Sequence, residues 1–132
     1  MNNFFTQFIE GSTITPTEVV INALNENFQG AINAEWYKRG ENFEAIFYKD
    51  NIEHIAIIDP AGILIEYKMF LPEGFLPEKI RIELENKGEI MNAVMANKGN
   101  AITYEIIIRS TPVNRTLLLL NEWGEILQEK PL

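Results

Sequence analysis

The sequence predicts an α+β fold: two tandem helix-plus-four-strand repeats forming a mostly antiparallel sheet with helices on one face. Three observations predict it. Residues 43–68, FEAIFYKDNIEHIAIIDPAGILIEYK, read as three strands joined by two tight turns. Residues 104–128, YEIIIRSTPVNRTLLLLNEWGEILQ, echo them: Phe43 and Tyr104 lie 61 positions apart, and Gly62 and Gly124 lie 62 apart. A proline-led amphipathic segment precedes each stretch, at Pro16 and at Pro77. The expected organisation is an N-terminal extension over 1–14, a first repeat over 15–70 and a second over 71–132, in one compact domain.

In chain order, Phe4, Phe5, Phe8 and Ile9 come first, at a spacing that suits one face of a short helix. Thr15-Pro16-Thr17-Glu18 then reads as a helix start. Thr15 caps, Pro16 occupies the first turn where its missing N–H costs nothing, and Glu18 completes a capping box. Val20, Ala23, Leu24 and Phe28 recur at helical spacing, and the helix stops before Gly30. Four strands follow, over 32–38, 42–48, 52–58 and 63–69. Asp50-Asn51 suits a two-residue hairpin loop, because both residues tolerate positive φ. Asp59-Pro60-Ala61-Gly62 has the residues of a type I turn.

The second copy starts at Leu76-Pro77-Glu78. Ile80 and Leu84 give a thinner apolar stripe, and Lys87-Gly88 marks its end. Strands are expected over 89–96, 101–109, 113–120 and 125–129. Asn121-Glu122-Trp123-Gly124 repeats the earlier turn with Asn in place of Asp.

Composition bounds the function. The chain has 132 residues, enough for a core without staples. It has no cysteine, so disulfides and thiolate metal sites are excluded. Nineteen acidic against 11 basic residues give a net charge of −8. That balance argues against nucleic acid and anionic membrane, which call for a basic footprint. No apolar run is longer than that of 117–120, a strand's worth and far short of the ~18 residues of a membrane span. The first residues, MNNFFTQFIEGS, show neither a basic n-region nor a continuous apolar h-region.

The pattern resembles the beta-lactamase-inhibitor-like, PepSY-like family of Bacteroidetes. The residues that carry the likeness in the first copy are Pro16, Trp36, Phe43-Glu44-Ala45-Ile46-Phe47 and Asp59-Pro60-Ala61-Gly62. In the second they are Pro77, Tyr104-Glu105-Ile106-Ile107-Ile108 and Asn121-Glu122-Trp123-Gly124. The likeness spans residues 15–130. These are turn and core signatures, so they bear on fold rather than chemistry. The second copy departs in lacking an aromatic opposite Trp36 and in carrying Asn121. The resemblance implies a two-copy fold, a periplasmic setting and an inhibitor-like use of the sheet. It carries over no inhibitory residue.

Catalytic signals are sparse. His54, the one histidine, has no companion motif and reads as a strand-surface residue. Asp50 and Asp59 are explained by turns, and Glu44, Glu53 and Glu66 by the wet sides of strands. There is no phosphate loop, nucleophile elbow, zinc motif or calcium loop. Asn114-Arg115-Thr116 fits a glycosylation acceptor but overlaps a strand start. The expectation is therefore a non-enzyme with no cofactor, no catalytic residue and no metal ligand.

The informative feature is the second sheet face. With Phe43, Ala45 and Phe47 toward the helices, Ile46 and Tyr48 point away. Ala56, Ile58, Ile63, Ile65 and Tyr67 are expected to join them, with Ile107 and part of 117–120 in the second copy. A solvated face should alternate more cleanly. The leading expectation is a binding or inhibitor-like module for a protein partner, anchored by Ile46, Tyr48, Ile65 and Tyr67. One alternative is a ligand carrier or enzyme with a pocket between sheet and helices, lined by Trp36 and Phe47. The other is a homodimer joined through faces or edges.

Overall fold

The computed structural model describes residues 14–72 and 74–132. Phe4, Phe5, Phe8 and Ile9 lie outside these. The α+β class holds: the described residues form two helices and eight antiparallel strands. They belong to two compact units, Met1–Tyr67 and Lys68–Leu132.

The first unit opens with helix α1, Glu18–Asn27. Its cap is Thr17 rather than Thr15: the Thr17 hydroxyl accepts from the Val20 N–H at 3.4 Å. Pro16 therefore lies before the cap, and Glu18 is the first helical residue instead of the closing member of a capping box. The chain leaves the helix through Gly30 at φ +89°. Strands β1 (Ile32–Arg39), β2 (Asn42–Lys49), β3 (Ile52–Ile58) and β4 (Leu64–Phe70) follow in spatial and chain order. Asp50 and Asn51 take φ of 53° and 65°, the type I′ geometry that matches strand twist.

That two-residue loop sets the register. Lys49 faces Ile52, so Ala45 faces Ala56, Phe43 faces Ile58 and Phe47 faces His54. Opposed residues share a face. Ala56 and Ile58 therefore join Ala45 and Phe47 under α1 instead of pointing away from it. Val20, Leu24 and Phe28 of the helix segment close this core, with Trp36 beside them.

Leu64 and Tyr67 both pack against the same core. An unbroken strand puts positions three apart on opposite faces, so the alternation of β4 is interrupted between them. Tyr67 meets Phe28 edge-on at 5.5 Å between ring centres, which places it on the helix side. The sequence expectation for Tyr67 is corrected by this break.

The second unit has helix α2, Glu78–Glu85, then β5 (Glu89–Lys98), β6 (Ala101–Thr111), β7 (Asn114–Asn121) and β8 (Ile126–Pro131). Pro77 itself is the cap, and its carbonyl accepts from the Ile80 and Arg81 N–H groups at 3.0 Å. Ile80 and Leu84 are fully buried against Ile106, Leu118 and Leu120. Gly88 (φ +150°) brings the chain so close to β6 that a Cβ there would lie 2.6 Å from the Arg109 carbonyl oxygen. In β8 the register passes from Leu119 opposite Gln128 to Leu120 opposite Ile126, leaving Leu127 unpaired and exposed.

Candidate functional site

Each unit has an inner face under its helix and an outer face away from it. The pairing defines the outer face of the first unit. Glu35 faces Ile46, which faces Ile55; Tyr37 faces Glu44, which faces Ile57; Tyr48 faces Glu53. Ile46, Ile55 and Ile57 are half-buried, and Tyr48 is 42% exposed. Ile46 and Tyr48 thus share this face. Ile65 is half-buried within the interrupted stretch of β4. The sequence reading missed Ile55 and Ile57. The signal was present, because the Asp50-Asn51 loop fixes which residue opposes which.

The polar groups on this face are organised. Tyr48 donates its hydroxyl to Glu53 at 3.1 Å, and Tyr37 donates to Glu35 at 2.8 Å. The hydrogen bond to Glu53 and that carboxylate's charge raise the Tyr48 pKa above its ordinary value. Glu44, buried on this face, accepts from the Arg39 guanidinium at 3.0 Å. A buried carboxylate requires such a partner.

In the second unit Ile107 faces both Asn92 and Leu117, Glu105 faces Val94 and Leu119, and Arg109 faces Glu89 and Arg115. Ile107, Leu117 and Leu119 are half-buried. So each unit has aliphatic residues on the face that its helix does not cover.

His54 is not on the surface. It is 7% exposed and stacks on Phe47 at 5.2 Å, 11° from parallel. Its Nδ1 is buried without a hydrogen-bond partner. Burial lowers its pKa below the ordinary value and the Lys49 charge adds to this, while a hydrogen bond with the Lys49 backbone opposes it. Its ring is part of the aromatic cluster of the first core, stacked on Phe47 and tilted against Phe28.

Trp36 and Phe47 belong to the packed core of the first unit, where they are 8% and 0% exposed. An open cleft of about 470 Å³ lies in the second unit, bounded by Leu71, Leu76, Ile90 and the Arg81 and Glu85 side chains. Arg81 is committed to Glu85 and sits 3.9 Å from Glu78. Among the described residues no group of three or more His, Asp or Glu could hold a metal ion, and no helix is long and apolar enough to cross a membrane.

No family model and no curated protein matches the chain. Solved structures do. A BLIP-like protein from Bacteroides fragilis superposes with a TM-score of 0.77 at 18% identity, over 93% of this chain and 91% of its own. DUF2874 family proteins from Bacteroides uniformis and Bacteroides ovatus give TM-scores of 0.76 and 0.75 at 12% and 14% identity, over 89% of this chain and 90% and 89% of theirs. The chain therefore has the fold of the BLIP-like and DUF2874 proteins of Bacteroides.

Proposed function

We propose that the chain is a non-enzymatic, inhibitor-like module that binds a protein through the outer faces of its strands. One observation carries this reading: the cross-strand pairs Ile46–Ile55 and Ile107–Leu117 lie on faces turned away from the helices. Half-solvated antiparallel strands ordinarily put polar residues there. Ile46 and Tyr48 are the anchors in the first unit, since an aromatic on a rigid strand loses little entropy on docking. Ile65 extends them where β4 breaks its alternation. Tyr67 turns to the helix side and supports the core beneath. The name of the Bacteroides fragilis neighbour agrees with an inhibitor-like role.

The test is affinity capture from periplasmic and cytoplasmic extracts, with mass spectrometry, using wild type and an Ile46→Ser, Tyr48→Ala double variant. Captured protein should fall at least about tenfold, the loss of one modest anchor, while the melting temperature changes little. Undiminished capture by a folded double variant would remove these residues from the site. A changed sedimentation coefficient would instead make the face a contact between two copies.

A further inference from the structure

The outer face of the second unit ends in a cluster of cations that folding does not explain. Arg109 on β6 stands directly opposite Arg115 on β7. Lys130 on β8 faces Leu117, the next residue of β7 on the same face. Like charges directly opposed across a sheet are destabilising. Glu89 relieves Arg109 at 2.8 Å. Among the described residues no carboxylate lies within ion-pair distance of Arg115 or Lys130, and both are exposed. This cationic cluster belongs to a chain whose net charge is −8. Ile107, Leu117 and Leu119 continue the same face.

We infer that this face receives a protein partner presenting carboxylate side chains beside an apolar anchor. The inference rests on the binding reading above and adds the chemistry of the partner. Carboxylates would neutralise Arg115 and Lys130, and the anchor would cover the aliphatic row beside them. A polyanion is a poorer fit. Nucleic acid or an anionic membrane meets the repulsion of the whole acidic chain, whereas a few carboxylates at contact range feel mainly the local cations, screened beyond ~8 Å at physiological salt. Arg115 costs the sheet stability where it stands opposite Arg109, and a bound carboxylate would offset that cost.

Random peptides displayed on phage and selected on the immobilised full chain test this, with affinities measured by fluorescence polarisation. Selected peptides should combine Asp or Glu with an aromatic or aliphatic residue, and added salt should weaken them. An Arg115→Glu, Lys130→Glu variant should bind them at least about tenfold more weakly. Arg115→Glu alone should melt no lower than wild type, because it replaces a like-charge pair with an opposite one. A lower melting temperature would remove the strain argument and overturn the inference. Peptides without acidic residues, or no selected peptide at all, would also overturn it. Peptides that ignore the charge reversal but are lost in the Ile46→Ser, Tyr48→Ala variant overturn this inference and leave the binding reading standing. Peptides indifferent to both variants overturn both. Sedimentation with phosphatidylcholine–phosphatidylserine vesicles that needs Arg115 and Lys130 would replace the protein partner with a membrane.

Discussion

The two units run through the same elements, helix then four antiparallel strands, but fill them with different chemistry. The first core sets three aromatics, Phe28, Trp36 and Phe47, among aliphatics such as Val20, Leu24 and Ile58, with His54 stacked on Phe47 and Tyr67 at its margin. The second is aliphatic, built from Ile80, Leu84, Ile106, Ile108, Leu118 and Leu120. The outer faces differ too. Glu35, Glu44 and Glu53 with the single Arg39 mark the first. Arg109, Arg115 and Lys130 with Glu89 and Glu105 mark the second. The architecture therefore depends on where apolar residues and turns fall. Which apolar residue fills a core, and which charge borders a face, is free to differ between the units.

The cores provide the largest expected effects. Phe47 is fully buried between Phe28 and His54, so Phe47→Ala should cost about 3–5 kcal/mol in urea unfolding. Ile106, equally buried but aliphatic, should cost about 2–5 kcal/mol as Ile106→Ala. If Phe47→Ala proves the cheaper of the two, the aromatic cluster is loosely packed and the contrast between the cores fails.

The next effect comes from glycines at the helix exits. Gly30 and Gly88 both have positive φ, but the space around them differs. Nothing lies within 4 Å of a Cβ at Gly30, whereas one at Gly88 would press on the Arg109 carbonyl. Gly30→Ala should cost about 1 kcal/mol from conformation alone. Gly88→Ala should cost about 2–3 kcal/mol, because the backbone of β6 has to move as well. Equal melting temperatures for the two variants would mean the approach at Gly88 is easily relaxed.

His54 gives a pH signature to the first core alone. Its folded pKa is lowered, so the unfolded chain binds the proton first as pH falls. Its contribution is therefore complete above the unfolded value of about 6.5 and is lost as pH drops from there toward the lowered folded value. His54→Phe should flatten that part of the stability–pH curve, and it removes the unpartnered Nδ1. A variant whose curve still falls in parallel with wild type below pH 6.5 would locate the acid sensitivity elsewhere.

Much of the fold was legible because turns and alternation are local signals. The strand over 52–58, the Asp50-Asn51 loop and the stripe of Val20, Ala23 and Leu24 all stand where their residue types put them. What failed depended on pairing between elements. Alternation alone sets Ala56 and Ile58 on the wrong face, although counting back from the Lys49–Ile52 pair places them opposite Ala45 and Phe43. His54 looks exposed in the sequence for the same reason. Tyr67 is misplaced because an interrupted strand resets the alternation, and no residue type announces it. Thr15 and Thr17 both offer a capping hydroxyl one position from Pro16, and composition alone does not choose between them. The cationic cluster is hidden in the sequence because Arg109, Arg115 and Lys130 come together only through the register of three strands.

The smallest expected effect concerns the turn residue that differs between the units. Asp59 Oδ1 accepts from the Ala61 and Ile63 N–H groups at 2.9 Å. Asn121 Oδ1 does the same for Trp123 and Glu125 at 3.0 Å. An oxygen suffices for that part, so Asp59→Asn should change stability by no more than about 0.5 kcal/mol. Asn121 is also a donor, because its Nδ2 gives a hydrogen bond to the Glu125 carboxylate at 3.2 Å. Aspartate cannot donate there and would set a like charge against Glu125. Asn121→Asp should therefore cost about 0.5–1 kcal/mol, a loss that shrinks in high salt and disappears in an Asn121→Asp, Glu125→Gln double variant. Equal effects at Asp59 and Asn121 would show that the amide has no role, leaving Asn121 as a neutral departure from the first unit's turn.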